Sequence, residues 1–441
     1  MTIQTYIFPN GFRIIHEKPK NNLPISSVQL FCDVGSVHED DTVRGASHFI
    51  EHMCFKGTKK FPKSKDILIQ FDRIGADFNA YTDKRLTCYH VKCGDDYVKN
   101  SIHLISDMLM NSTFVKNEYN KEYKVVVEEN IKNENDPDVI LEENLDKLLY
   151  KGSSYEFEID NLRYHKKRLD YNAVLEYYHS FYIPSRFVLS INTNISFDTI
   201  QQIVLKSQFM KKKASFNEEL NKRTISFVIT PQLKPQYYLH KKTGIITNLV
   251  SIGFRTCPHS SKDKYTLNLL KKMLNGLSGR LSMILREDNG LTYSSHADAD
   301  YYEHLGDFIL SAETDYKKLI KNGSGKGVLP LLIDLICNLK KNGVSDEELS
   351  VAKNSKRETM NLKLEDCYNA AEHNGKDYLI YGDRKQIIPY DKIYETCYKN
   401  ITKKDIHEVA CKYFKPECIS ICIVGETLPS QSMVEKICNH I

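Results

Sequence analysis

A chain of 441 residues, 41% hydrophobic and 27% charged, is long enough for two domains of about 200 residues each. Its 61 basic and 57 acidic side chains leave a net charge of +4, and the lysines fall in scattered pairs, which argues against a nucleic-acid or membrane-surface binder. Twelve cysteines without a C-x-x-C pair exclude a paired-cysteine zinc site and a disulfide-stapled module, and with no run of 18 apolar residues no membrane span is expected.

The N-terminal "MTIQTYIFPNGFRIIHEKP" alternates like a strand and turns at Pro9-Asn10-Gly11. It lacks the charged and apolar regions of a leader, so a cytoplasmic protein is the expectation. "SVQLFCDVG" (27–35) reads as a strand, and a helix opened by Gly45 follows the polar turn "SVHEDD". "SKDILIQFDRIG" (64–75) carries apolar residues at helical spacing and ends on glycine. "ADFNAYTDKRLTCYHVKC" is β-rich, "DYVKNSIHLISDMLMN" helical, and a long helix from about residue 117 to 134 stops at Asp136-Pro137. "YNAVLEYYHSFY" and "RFVLSINTNI" add a helix and a strand.

A lysine-rich polar stretch then suggests a linker over 209–235, dividing an N-terminal domain (1–208) from a C-terminal one (236–441). After it the order repeats: strand "LVSIGFRT", turn "CPHSSKDK", helix "YTLNLLKKMLNG", later strands around "YSSHADAD" and "DFILSAETD", and helices from Leu329 and Ser345. The repeat implies a duplication, and strands and helices without strict βα alternation imply an α+β fold. "KNGSGKG" (321–327) imitates a phosphate loop but lacks its first glycine, and Gly327 stands where Ser or Thr is needed; a surface loop is expected there.

The chemistry concentrates in "HFIEH". On a helix His48 and His52 lie one turn apart on one face, within reach of a single ion. Glu51 is rotated off that line, placed to act as a base without ligating. Imidazole suits zinc, and a catalytic zinc needs a third protein ligand and an open position. Candidates lie in "NKEYKVVVEENIKNENDP", where Glu122 and Glu129 are seven apart and share a helix face, with Glu128 off it. One carboxylate would complete His₂Glu coordination, and the other would hold a ligand histidine by its second N–H.

With these residues in view, the sequence resembles the insulinase (pitrilysin, processing-peptidase) family of zinc metallopeptidases. "GASHFIEHMCFKGTKKFPKSKDI" is similar to the family's zinc helix, and "NAYTDKRLTCYH" to its substrate-binding edge strand. The 76 residues between His52 and Glu129 match the family's gap to its third ligand, which selects Glu129 and leaves Glu122 as the acidic residue behind the metal. "LREDNGLTYSSHADADYYEHLGDF" is similar to a segment whose Arg–Tyr pair serves substrate and transition state, here Arg286 and Tyr293. The resemblance implies two homologous mixed α/β-roll domains forming half of a four-domain clamshell. It further implies one Zn2+ per chain, Glu51 as base, and Asn79, Ala80, Tyr81 and Thr82 as a strand that receives an extended peptide or unfolded segment. A homodimer is implied, with a heterodimer of related subunits as the alternative; a structural subunit without activity would typically have lost ligands that are all present here. Departures from the family are Arg85, where relatives often carry an acid, Asn130, where an aliphatic residue is usual, and a shortened "LNGLSGRL".

Overall fold

The strand Ile25–Cys32 is buried at every position after its first, the pattern of a strand covered on both faces. It centres the first sheet of the computed structural model, which describes residues 3–21, 23–159, 169–211 and 230–439. The sheet comprises β1 (Gln4–Ile7), β2 (Arg13–Glu17), β3 (Ile25–Cys32), β4 (Asp77–Thr82), β5 (Thr87–Gly94) and β6 (Phe187–Asn192), ordered β1-β2-β6-β3-β5-β4. Only β2 and β6 run parallel; the other neighbours are antiparallel. Successive side chains leave opposite faces of a strand, and this divides the core. Val28, Leu30 and Cys32 join Phe49, Ile50 and Met53 on one side, while Phe31, Cys88 and Val188 join Tyr378 and Leu379 on the other.

Among the described residues, the α-helices of the first half are α1 (Ala46–Cys54), α2 (Ser64–Arg73), α3 (Val98–Asn111), α4 (Lys116–Asn133), α5 (Pro137–Leu149), α6 (Tyr171–Phe181) and α7 (Phe197–Leu205). Asp136-Pro137, which reads as a stop for α4, is equally a start: Asp136 accepts the Asp138 N–H and Pro137 takes the first position of α5.

In the second half come β7 (Gln236–Lys241), β8 (Thr247–Thr256), α8 (Asp263–Leu274), β9 (Ser295–Asp298) and β10 (Gly306–Asp315). Next are α9 (Tyr316–Ile320), a hairpin of β11 (Lys321–Asn322) and β12 (Gly325–Lys326), α10 (Val328–Asn342) and α11 (Asp346–Lys363). α12 (Cys367–Tyr381), α13 (Lys403–Tyr413), β13 (Ile419–Gly425) and α14 (Gln431–Cys438) close the chain. The phosphate-loop look-alike is therefore a tight hairpin, with Gly323 at φ +60° in its turn. The second sheet runs β7-β13-β8-β10-β9, with β7 and β13 parallel and the rest antiparallel. This is the first sheet without β1, so the duplication is explicit in the topology.

Two compact units result, neither continuous in sequence. The first comprises Met1–Ile131, Phe157–Ser226 and Asn361–Lys392; the second comprises Lys132–Glu156, Phe227–Met360 and Ile393–Ile441. In the first unit α12 covers β3 and β6. It sits so close that a Cβ on Gly375 would come within 2.1 Å of the Phe31 ring. In the second, α5 covers β8 and β13, and a Cβ on Gly253 would come within 2.9 Å of Leu149. Each unit is thus completed by a helix from the other half of the chain, where the sequence suggested a simple division. The expected linker over 209–235 falls mostly on 212–229, outside the described residues. Among the described residues no helix is long and apolar enough to cross a membrane.

Candidate metal centre

Helix α1 begins at Gly45, whose φ of +83° suits only a residue without a Cβ. No side chain at the cap position bonds to the helix. Glu39 does so from upstream: its two carboxylate oxygens accept the N–H groups of Gly45 and Ser47, each at 2.7 Å. Burial pushes this carboxyl up to about 7 against those hydrogen bonds. Phe49, Ile50 and Met53 are fully buried and anchor α1, while His48 and His52, one turn apart beside Phe49, face α4. The edge of Phe49 meets the Tyr119 ring of α4 at 4.7 Å between centroids, fixing one helix against the other.

Between the two helices, His48 Nε2 and His52 Nε2 lie 3.2 Å apart, and Glu129 Oε2 lies 3.7 Å from His52 Nε2. One ligand atom from each of the three residues falls within 4.8 Å of the others, the one such group of metal-ligating side chains among the described residues. Tetrahedral zinc with arms of about 2.0–2.1 Å separates its ligand atoms by roughly 3.3 Å, so the donor set fits that ion in kind and spacing. Glu122, only 5% exposed, stands behind the histidine: His52 Nδ1 lies 2.8 Å from Glu122 Oε1. With the His52 proton held there, Nε2 is left as a lone pair facing Glu129 and His48. Burial raises the Glu122 carboxyl, but hydrogen bonds from His52 and Lys56 outweigh it and hold the group below its ordinary range.

Glu51 is buried beside the histidines. Burial raises its carboxyl, while Thr82 Oγ1, donating to Oε2 at 2.6 Å, pulls it down. Thr82 ends β4, the edge strand of the sheet, which also carries Asn79, Ala80 and Tyr81. The four do not point one way. Asn79 Oδ1 accepts the Ala80 N–H at 2.9 Å, whereas the Tyr81 hydroxyl approaches Glu372 at 3.4 Å with Lys376 near its ring. Arg85, next to this strand, is engaged in an ion pair with Asp33 and lies 2.7 Å from His38 Nε2. In the second unit, Arg286 lies in a π-helical turn, Ser282–Glu287, a distortion common at functional sites. Its guanidinium sits 5.1 Å from the centroid of the Tyr293 ring, and Tyr293 is 88% exposed.

Three contributors escaped the sequence reading. Lys56 extends the spacing of four from His48 and His52 and had a legible signal there. Thr82 was read only as part of a peptide-binding strand. Glu39 lies six residues before the helix start it caps, a separation no capping pattern covers.

Comparisons with known proteins bear on the family and the fold. Residues 14–161 match the insulinase family (peptidase family M16) and residues 168–356 its second domain, described as the peptidase M16 inactive domain. Over 390 residues the chain is 31% identical to "Uncharacterized zinc protease YmxG" of Bacillus subtilis, covering 87% of this chain and 90% of that protein. It is 24% identical to the mitochondrial-processing peptidase subunit beta of Caenorhabditis elegans, over 95% of this chain and 89% of that one. A protease from Helicobacter pylori has the same fold, with a TM-score of 0.86 at 19% identity over 96% of this chain and 99% of that chain. So does a structure from Pseudomonas fluorescens titled as a peptidase M16 inactive domain, with a TM-score of 0.83 at 16% identity over 98% and 99%.

Proposed function

The chain belongs to the insulinase family, peptidase family M16, and on that premise we propose that it is a zinc-dependent endopeptidase acting on extended peptides. The observation that carries the reading is the convergence of His48, His52 and Glu129 with Glu51 alongside and oriented by Thr82. Zinc held by His48, His52 and Glu129 would polarise a peptide carbonyl and ease the ionisation of water. This chain's residues do the rest. Thr82 occupies Glu51 Oε2, and Oε1 takes the proton from the attacking water and returns it to the leaving amine. Burial, which raises the Glu51 carboxyl, brings it closer to the pH at which a base also works as an acid. Glu122 keeps the His52 proton on Nδ1. The outer edge of β4 offers backbone groups to an added peptide strand. Arg286 and Tyr293 are assigned to the substrate carbonyl and its developing charge.

The test is digestion of a peptide library read by mass spectrometry, with metal analysis of the same sample. About one zinc per chain, with cleavage that E51Q abolishes, is the expected result; cleavage unchanged in E51Q refutes the mechanism. We further propose a homodimer enclosing the substrate, in which Arg286 and Tyr293 serve the partner's metal. Mixing E51Q with R286A chains should then restore part of the activity, and no recovery in any mixture refutes it. The likeness to a protein named as a subunit beta supports the alternative, a heterodimer, which predicts low activity alone and a gain on adding a related chain.

A further inference from the structure

Lys56 lies just beyond the end of α1, yet its position is fixed. Its N–H bonds the Met53 carbonyl at 3.0 Å, and the next residue, Gly57, accepts the Thr113 N–H through its carbonyl at 3.1 Å. Gly57 has φ +144°, and a Cβ there would meet the Pro62 carbonyl oxygen at 2.5 Å; the turn after Lys56 therefore admits glycine alone without strain. From this backbone Lys56 Nζ reaches Glu122 Oε2 at 2.6 Å, while His52 holds Oε1 of the same carboxylate at 2.8 Å. His48, His52 and Lys56, spaced by four, form one row, and two of the three converge on one buried acid.

We propose that Lys56 is a positioning residue of the metal centre, resting on the zinc reading above. Three carboxylates stand near the two histidines, those of Glu51, Glu122 and Glu129. A carboxylate held by one oxygen can rotate and offer the other to a metal. Glu122 is the acid hydrogen-bonded to His52 and is the competitor Glu129 must exclude. Lys56 engages its second oxygen, so both oxygens are committed and the carboxylate cannot swing. The consequence is twofold: Glu129 alone supplies the carboxylate ligand, and the His52 tautomer with Nε2 free is maintained. A surface lysine forming an incidental ion pair would have neither effect, because its partner would be solvated and would hold nothing else. Here the partner is 5% exposed and holds a ligand.

The test is zinc affinity of the full chain, measured by competition with a chromophoric chelator, for wild type, K56M, K56R, E122Q and the K56M/E122Q double variant. Removing an outer partner of a metal ligand weakens metal binding about 10–100-fold. For K56M, one contact further out, the expected loss is about tenfold, with K56R within about threefold of wild type. In the E122Q background K56M should add nothing, since Lys56 acts only through Glu122. Metal-free K56M should melt somewhat below the metal-free wild type, because a buried carboxylate loses a partner, and the zinc-loaded forms should differ by more. Wild type that binds zinc, with K56M equal to it or with losses that multiply in the double variant, overturns the role of the lysine and leaves the metal centre standing. An equal fall in melting temperature with and without zinc overturns it in favour of a structural ion pair. Wild type that binds no zinc overturns the metal centre and this role with it.

Discussion

Asn130 follows the proposed ligand Glu129 on α4 and belongs to the buried stripe Tyr119, Glu122, Val126, Asn130. It is 3% exposed, and among the described residues neither Nδ2 nor Oδ1 has a hydrogen-bond partner. A buried polar group left unsatisfied costs about 1–3 kcal/mol, and leucine has the same branching and number of side-chain atoms without the polarity. Asn130→Leu should therefore stabilise the metal-free chain by about 2 kcal/mol. In a unit of this size that raises its transition by roughly 4–8 °C, at about 2–4 °C per kcal/mol. Differential scanning calorimetry reads the transition, and chelator competition reads zinc. Zinc affinity should not change, because Asn130 lies on the buried stripe while the Glu129 side chain is 43% exposed. A lower melting temperature, or a tenfold loss of zinc affinity, would refute the reasoning, since either means that the amide is engaged in something the centre needs.

Two further outcomes test the surroundings of the base and the ligand helix. A hydrogen bond to a charged group contributes about 1.5–3 kcal/mol, so T82V should lower kcat by about 10–100-fold with KM within about twofold, and T82S should recover most of it; a raised KM with kcat unchanged would make Thr82 a substrate contact instead. Glu39, facing Arg44, Ser47 and the Tyr177 hydroxyl, is held up to about 7 by burial. A carboxyl raised in the fold binds its proton more tightly there than in the unfolded chain, so its contribution is complete below the ordinary range and is lost as pH rises through 7. Urea unfolding of the metal-free chain should show wild type losing on the order of 3 kcal/mol relative to E39Q between pH 4.5 and 8, and parallel curves would sink the assignment.

Legibility followed distance along the chain. The row His48, Glu51, His52 could be read because helical periodicity converts spacing into direction, and the same rule put Glu122 and Glu129 on one face of α4. Glu129, rather than Glu122, was chosen by resemblance; periodicity treats the two alike, and what separates them physically is that Glu122 meets His52 Nδ1 and Lys56 whereas Glu129 stands by His52 Nε2. Thr82 and Glu51 are 31 positions apart and meet only because the β4 edge is laid beside α1, which no local pattern encodes. The exchange of α5 and α12 was hidden for the same reason. An apolar helical stripe declares that it must be covered, and says nothing of which sheet will cover it.

The duplication sharpens what the metal side chains mean. Both units build the same strand order, β2-β6-β3-β5-β4 in one and β7-β13-β8-β10-β9 in the other, and both place a helix after the central strand, α1 after β3 and α8 after β8. The first of these helices carries His48, Glu51 and His52. The second reads "DKYTLNLLKKML", and its lysines include Lys271, which pairs with Asp298 at 2.8 Å. The fold repeats while the proposed ligands do not, so the architecture supplies a place for a helix and the sequence decides whether that helix carries metal-ligating side chains. Likeness of fold, which this chain shares equally with a protease and with a domain titled inactive, therefore carries no weight for activity. The weight rests on five side chains of α1 and α4 and on the hydroxyl of Thr82, and a change at any of them should leave the fold intact and remove or weaken the chemistry.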